Sequence, residues 1–452
     1  MSKSVASLKI DTSVKNIILL TLPISMAKLI PELNYLFNAA FLGHLGSKEL
    51  ALAGITGVYY LIFASIGYGL NNALLSMMSR KAGAENRNAI FVILWHGIIL
   101  GLILATIFSV FTWSAIKPVM FWAGVEDSGV QIAGDYLGIR VVGLFFLYAL
   151  QMQNSFLITI QKTRYLIVIA VVQATVNIIL DYGLIFGRLG MPDLGFNGAA
   201  YASVISELIG MVTVMLVIYS LKIRINYHII PNFSIILKKI ALVFKVGFPL
   251  MLQLSISTWS WWIFFILVSR NYVVEDQAIS QAMRNLFGLG GVFSWAFGSS
   301  TNTILSNLLG QQRYDDIFPV IRRLLVISLS GMVALVVILN LFPDLFFGLF
   351  GQPAHFVEAG TGILRIVSVA MILTSIGVIW LNGIIATGQT KIVLFTETIG
   401  ITVYLLFVWL AIETWKYPLE VAWMSEWAYW ISMIVPAYLY LKYGSWRKKL
   451  SY

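Results

Sequence analysis

The sequence predicts an all-α polytopic membrane protein, with twelve transmembrane helices in two six-helix lobes related by a pseudo-two-fold axis along the membrane normal. Three observations carry that expectation. The 452 residues are 59% hydrophobic and only 11% charged, with a mean hydropathy of +0.86, whereas a soluble domain averages about 25% charged. Apolar runs long enough to cross a bilayer, about 20 residues each, recur from end to end and leave no room for a sizeable soluble domain. Short motifs also return at one nearly fixed offset, so the chain is written twice.

The apolar runs place spans near 15–42, 51–79, 89–114, 134–160, 164–187, 196–221, 240–270, 277–308, 320–350, 361–386, 391–413 and 418–442. A basic start precedes the first run, but Lys28 and Glu32 interrupt it and no small-residue cleavage site follows. It therefore reads as a retained span rather than a signal peptide. The net charge of +10 is distributed by side. One face receives Lys3, Lys9, Lys15, Arg80, Lys81, Arg87, Lys162, Arg164, Lys222, Arg224, Lys238 and Lys239. It also receives Arg313, Arg322, Arg323, Lys391 and the basic tail from Lys442 to Lys449, while the other face receives little beyond Lys48, Lys117, Arg188, Arg270 and Lys416. The positive-inside rule then puts both termini in the cytoplasm, in a bacterial-type inner membrane. Basicity spent on orientation, with no basic patch interleaved with exposed aromatics, argues against a nucleic-acid partner.

The repeat rests on four markers. The loop SRKAGAENR (79–87) returns as SNLLGQQR (306–313), with Ser79 and Ser306 227 residues apart, as are Gly83 and Gly310. QKTR (161–164) returns as GQTK (388–391) at the same 227. Pro23 answers Pro249 at 226, and GIRVV (138–142) corresponds to ILRIV (363–367). Six spans per half is an even number, so both halves enter from the same side and form a parallel repeat. The N-lobe is 1–221, the C-lobe 240–452, and the polar stretch 222–239 is the cytoplasmic linker. Two lobes of this kind suit alternating access around a substrate held between them.

Several chemistries are absent. There is no cysteine, so no disulfide or thiolate metal site, and the four histidines show no ligand spacing. No phosphate-binding loop, H-E-x-x-H or G-x-S-x-G motif is present. An intramembrane enzyme would need a catalytic constellation that is not there, no cofactor is implied, and active transport would have to draw on an ion gradient.

The polar residues that remain inside the spans are the candidate site. Asn177 and Asp181 are spaced i, i+4 on one helix face, with Gln173 one turn before them. A charged carboxylate is expensive in a membrane interior, so one placed there is suited to take up a proton or a cation beside its amide neighbour. The positions 227 residues later are Tyr404 and Val408, so the acid is no device common to both halves. Lys28 and Glu32 are also i, i+4, with Tyr35 on the same face and Asn38 about 80° round from Lys28 at 100° per residue. They form either a self-compensating pair or the electrostatics of the cavity, and Pro31 can open the helix ladder near Glu32. Gln281 and Arg284 begin the eighth span, facing either the cavity or the headgroup boundary, and Glu207 lies one turn past Ser203 in the sixth. Glu397, six residues after Lys391, is expected at the interface. Glu426 sits among Trp423, Trp427 and Trp430, whose spacing reads as packing or membrane-facing surface, and Trp259, Trp261 and Trp262 read the same way.

The chain resembles the multidrug and toxic compound extrusion (MATE) family over essentially its whole length, and more closely its prokaryotic DNA-damage-inducible-type branch. The likeness is carried by Pro23 with FLGHLG (41–46), the SRKAGAENR loop, NIILDYGLIFG (177–187), GFNGAAYASVIS (195–206), GFP (247–249), and Ala278 with Gln281. The resemblance implies a monomeric efflux antiporter that exports organic, often cationic, amphipathic compounds in exchange for H+ or Na+. That branch pairs a first-helix Asp with Asn and Asp in the fifth. Here Asn177 and Asp181 stand in the fifth, but the first-helix place falls on Asn38, and the family's sixth-helix hydroxyl corresponds to Ser203. A possible Na+ would sit at Asp181 and Asn177. Another branch places acids where this chain has Ser257 and Ser375, so that C-lobe site is not expected here. The competing expectation is a flippase for a lipid-linked saccharide or another amphipathic anion, which Lys28 and Arg284 facing the cleft would favour.

Overall fold

The computed structural model describes residues 6–122, 125, 127–347 and 354–447, and among these residues there are helices and no strand. The first half runs α1 (Val14–Leu45), α2 (Ser47–Gly83), α3 (Arg87–Trp122), α4 (Asp127–Arg140), α5 (Gly143–Thr159), α6 (Arg164–Phe186), α7 (Phe196–Ser220) and the single turn α8 (Ile223–Asn226). The second half runs α9 (Leu237–Asn271), α10 (Val274–Gly310), α11 (Ile317–Leu341), α12 (Pro343–Phe347), α13 (Ala354–Thr387), α14 (Thr390–Trp409), α15 (Leu419–Trp423) and α16 (Ser425–Tyr443). Helix is the only open-ended choice for apolar sequence of this length, because in lipid each N–H and C=O must be paired within its own segment.

The protein is an all-α, multi-pass membrane protein of two lobes. Its passages are α1, α2, α3, the α4–α5 pair, α6, α7, α9, α10, α11, α13, α14 and α15–α16. Among the described residues nine helices are long and apolar enough to cross a membrane, or ten with α4 and α5 as one passage bent by 41°. α10 and α16 fall short because they carry polar residues inward, such as the run from Ser299 to Asn302 and Glu426, all of them buried.

Two compact units make up the chain. One comprises Met1–Ile10 with Leu22–Met251, and the other Asp11–Thr21 with Leu252–Tyr452. The divisions fall inside α1 and α9, within two residues of Pro23 and Pro249.

Within each unit the repeat reaches the backbone. α2 ends at Gly83 and α10 at Gly310, and the residues that turn the chain beyond them, Glu85 (φ 55°) and Gln312 (φ 62°), are both left-handed. Asn86 N–H donates to Lys81 C=O at 2.9 Å, as Arg313 N–H does to Leu308 C=O at 3.0 Å, the wrap-around bond that closes a helix C-terminus. Gln161 (φ 60°) and Gly388 (φ 81°) form a second such pair, and Leu189 (φ 58°) and Lys416 (φ 49°) a third. All three pairs are 227 residues apart. Side chains other than glycine normally avoid this region, so its recurrence records one loop design used twice.

Glu85 also ties down the N-terminal segment. Its carboxylate accepts the Leu8 N–H at 3.1 Å and the Ser7 hydroxyl at 3.2 Å, and pairs with Arg87. Partial burial would raise its pKa, but the Leu8 N–H, Arg87 and Ser7 outweigh it and hold the group below its ordinary value. A carboxylate depressed in the folded state contributes stability above its unfolded pKa and loses it as pH falls through the folded one. Hydrogen exchange at Leu8 is therefore expected to quicken on acidification through the carboxylate range and to stay unchanged from neutral to mildly alkaline pH.

Candidate functional site

α6 positions the candidate acid. The helix ends where Gly187 takes a left-handed conformation (φ 61°) and its N–H bonds Gly183 C=O, and the chain re-enters the unit as α7. α6 and α7 approach closely at Gly198, where a Cβ would lie 2.5 Å from the Leu184 carbonyl oxygen. This contact brings the small-residue face of α7 onto α6 and seals the Asn177–Asp181 stripe, so that Asn177 is 2% and Asp181 0% exposed.

The predicted pair is thus on one buried face, but its partner differs from expectation. Asn177 Oδ1 accepts a hydrogen bond from Asn34 Nδ2 of α1, one turn before Asn38. Asn38 is half-buried and makes no hydrogen bond to either residue, and Ser203, although buried on α7, makes none to Asp181. Both carboxylate oxygens of Asp181, and the Asn177 amide nitrogen, have no hydrogen-bond partner among the described residues. A carboxylate without donors is costly in a buried setting unless a proton or cation accompanies it. Arg140 is its one electrostatic partner of opposite sign.

Arg140 itself is committed elsewhere. Its guanidinium donates to both oxygens of Glu207, at 2.7 and 2.9 Å, and lies 3.6 Å from the centroid of the Tyr60 ring. The Tyr60 hydroxyl donates to the same carboxylate at 3.2 Å. Arg140 is the last residue of α4, at the bend into α5, and Gly143 beyond it has no room for a Cβ against Glu207 Oε2 and Arg140 Nη1. Glu207 is therefore half of a buried bidentate ion pair rather than an open acid. Sequence reasoning used Arg140 only as a repeat marker. The available signal was that an Arg and a Glu, each alone in an apolar span, need one another.

The remaining predicted residues are dispersed. Lys28 is half-buried in α1, interacts electrostatically with Glu32, and lies 6.0 Å from the centroid of the Tyr68 ring. Glu32 is exposed in the isolated chain, and the side chain of Tyr35 is outside the described residues. Gln281 and Arg284 are exposed on α10 of the other unit. Arg284 lies 5.4 Å from the centroid of the Phe265 ring, and Gln281 approaches Asn285 at 3.5 Å.

Two acids of the second unit depart from expectation. Glu397 is 0% exposed rather than interfacial, because α14 turns it into the unit. Its carboxylate accepts from Gln253 Nε2 at 2.9 Å, from the Tyr429 hydroxyl at 2.7 Å and from Ser257 Oγ. Glu426 and the flanking Trp423 and Trp430 are buried, so this stripe packs inward and is not lipid-facing surface. Trp261 packs inward on Trp423, whereas Trp259 and Trp262 pack edge-to-face on each other with exposed rings.

Twelve helical passages in two repeated units, each burying carboxylates inside apolar helices, define a secondary transporter. The MatE family model matches residues 23–183 and 249–410, one segment in each half, and the chain belongs to that family. It is a multi-pass transporter and not an enzyme. A probable multidrug resistance protein NorM of Thermotoga maritima is 22% identical over 441 residues, covering 96% of this chain and 93% of that protein. Among solved structures, an outward-facing multidrug resistance MATE family transporter of the MOP superfamily superposes with a TM-score of 0.85 at 20% identity, covering 98% of this chain and 97% of the other. A MOP superfamily transporter from Pyrococcus furiosus gives a TM-score of 0.85 at 19% identity, with the same coverage.

Proposed function

We propose that this chain is a secondary active antiporter that exports organic, amphipathic, cationic compounds in exchange for H+ or Na+. It does so from a bacterial inner membrane, as a monomer with both termini in the cytoplasm. The observation that carries the proposal is the Asp181 carboxylate, fully buried and without a hydrogen-bond partner among the described residues, beside an Asn177 amide with one end free. A site of this kind holds a proton or a Na+ in one state and must be emptied in the other. Asn34 orients Asn177, and Asn38 and Ser203, one turn along α1 and on the helix packed against α6, are the reserve ligands. Lys28 and Glu32 set the field on the α1 side. Cation and drug, each disfavouring the state that binds the other, are then reciprocally coupled. The name of the Thermotoga maritima relative supports drug export.

The test is purified protein in liposomes with a fluorescent organic cation and with ΔpH and Na+ gradients imposed separately. Movement driven by one gradient and not the other is expected and names the coupling ion. No movement under either would sink the proposal. A second reading, flipping of an amphipathic anion, draws on the Lys28 ammonium beside Tyr68. Translocation of a labelled anionic lipid analogue in the same vesicles, reduced by Lys28→Gln, would favour it.

A further inference from the structure

We propose that the second unit holds a cation site of its own, separate from Asp181, in the cavity beside Glu426. The cavity measures about 20 Å³ and is lined by Ser257, Ser260, Trp261, Tyr404, Glu426 and Tyr429. Roughly 10–15 Å³ is enough for one water, so it accepts a water or an ion of similar size and nothing larger.

Its walls offer lone pairs and very few protons. The Ser257 hydroxyl gives its proton to Glu397 or to the Gln253 carbonyl, Ser260 gives its own to the Ser257 carbonyl at 2.8 Å, and Tyr429 donates to Glu397 at 2.7 Å. Tyr404 is the one lining hydroxyl whose proton is not claimed by these bonds. Glu426 adds a carboxylate that is 2% exposed and takes no well-formed hydrogen bond from a described residue, although the Trp430 indole N–H approaches it. A water brings only two protons to such a set of oxygens and leaves the charge uncompensated. A single small monovalent cation, bound as Na+ or as a proton on Glu426 with a water beside it, satisfies both.

The contrast with the first unit sharpens the inference. There the buried Glu207 is neutralised by a fixed guanidinium. Glu397 and Glu426 have no Lys, Arg or His in an ion pair among the described residues, and the titratable groups about the cavity are only these two acids with Tyr404 and Tyr429. A positive charge there has to be an exchangeable one. Three donors on Glu397 match the acceptor-only hydrogen bonding of an ionised carboxylate. Glu426, with none, is the group left to take the charge.

The experiment counts cations on the purified full chain in detergent, by binding of radioactive Na+ and by proton uptake in weakly buffered solution. The unaltered chain is compared with Glu426→Gln, Asp181→Asn and the double variant. About two bound cations per chain are expected to fall to about one in either single variant and to none in the double. Sodium retained in the isotope assay identifies Na+, and proton uptake without sodium identifies H+. A Glu426→Gln chain that binds as many cations as the unaltered one overturns this proposal, whatever Asp181→Asn does. Loss in Glu426→Gln with none in Asp181→Asn leaves it standing and removes Asp181 instead. Ser260→Ala keeps both carboxylates and is expected to weaken cation binding about tenfold, equivalent to about 1.4 kcal/mol. Unchanged affinity there would mean the serine oxygens are not ligands and the cavity is not the site.

Discussion

Asp181→Asn is expected to abolish gradient-driven transport while the variant still inserts and folds at close to the normal yield. The amide keeps the size of the carboxylate and removes only its capacity for charge, and no donor among the described residues would lose its acceptor, because neither oxygen of Asp181 has one. A neutral group at this depth is easier to bury than a charged one, so thermal stability in detergent should hold or rise slightly. Transport should drop by about two orders of magnitude or more, the scale on which a lost proton carrier is felt. Binding of the organic cation without turnover would separate lost coupling from lost affinity. Undiminished transport would remove Asp181 from the mechanism.

The second large effect is one of stability. Arg140→Ala leaves Glu207 buried, 5% exposed, with only the Tyr60 hydroxyl to meet it. Removing one partner of a buried ion pair costs about 3–5 kcal/mol, because an uncompensated charge remains. The double variant Arg140→Met with Glu207→Leu should recover most of that loss, since a buried pair replaced by apolar residues of similar bulk is often neutral. Thermal unfolding in detergent of both singles and the double forms a closed cycle. Additive losses would show that the pair is not coupled. Gly143→Ala should destabilise by about 1–3 kcal/mol through overpacking, because its Cβ meets both members of the pair.

These two expectations differ in how far the sequence led to them. Asn177 and Asp181 share a helix face by spacing alone, and the structure keeps them there. Arg140 and Glu207 are 67 residues apart, and spacing says nothing about a contact made across helices. The amide that reaches Asn177 comes from Asn34, one turn from the position that counting from Pro23 selects. Glu397 follows a basic residue closely enough to look interfacial, yet α14 begins at Thr390 and turns it inward to three donors on two other helices. Of the loop turns, two left-handed pairs fall in motifs whose repetition is legible. The third, Leu189 with Lys416, is invisible in the letters because two unlike side chains adopt one backbone shape.

By itself the sequence determined the medium, the helical class and the twofold writing of the chain. Each follows from local or periodic properties: apolar length set against bilayer thickness, and motifs recurring at a constant offset. Which buried charges are neutralised and which stand open was decided only by the tertiary structure. Charge compensation inside a membrane depends on which helices touch, and that is settled by packing, through close approaches such as Gly198 on Leu184 and Gly143 beside the ion pair. Glu207 and Asp181 are both lone acids in apolar spans when read along the chain. Folded, Glu207 has a guanidinium and Asp181 has no hydrogen-bond donor among the described residues.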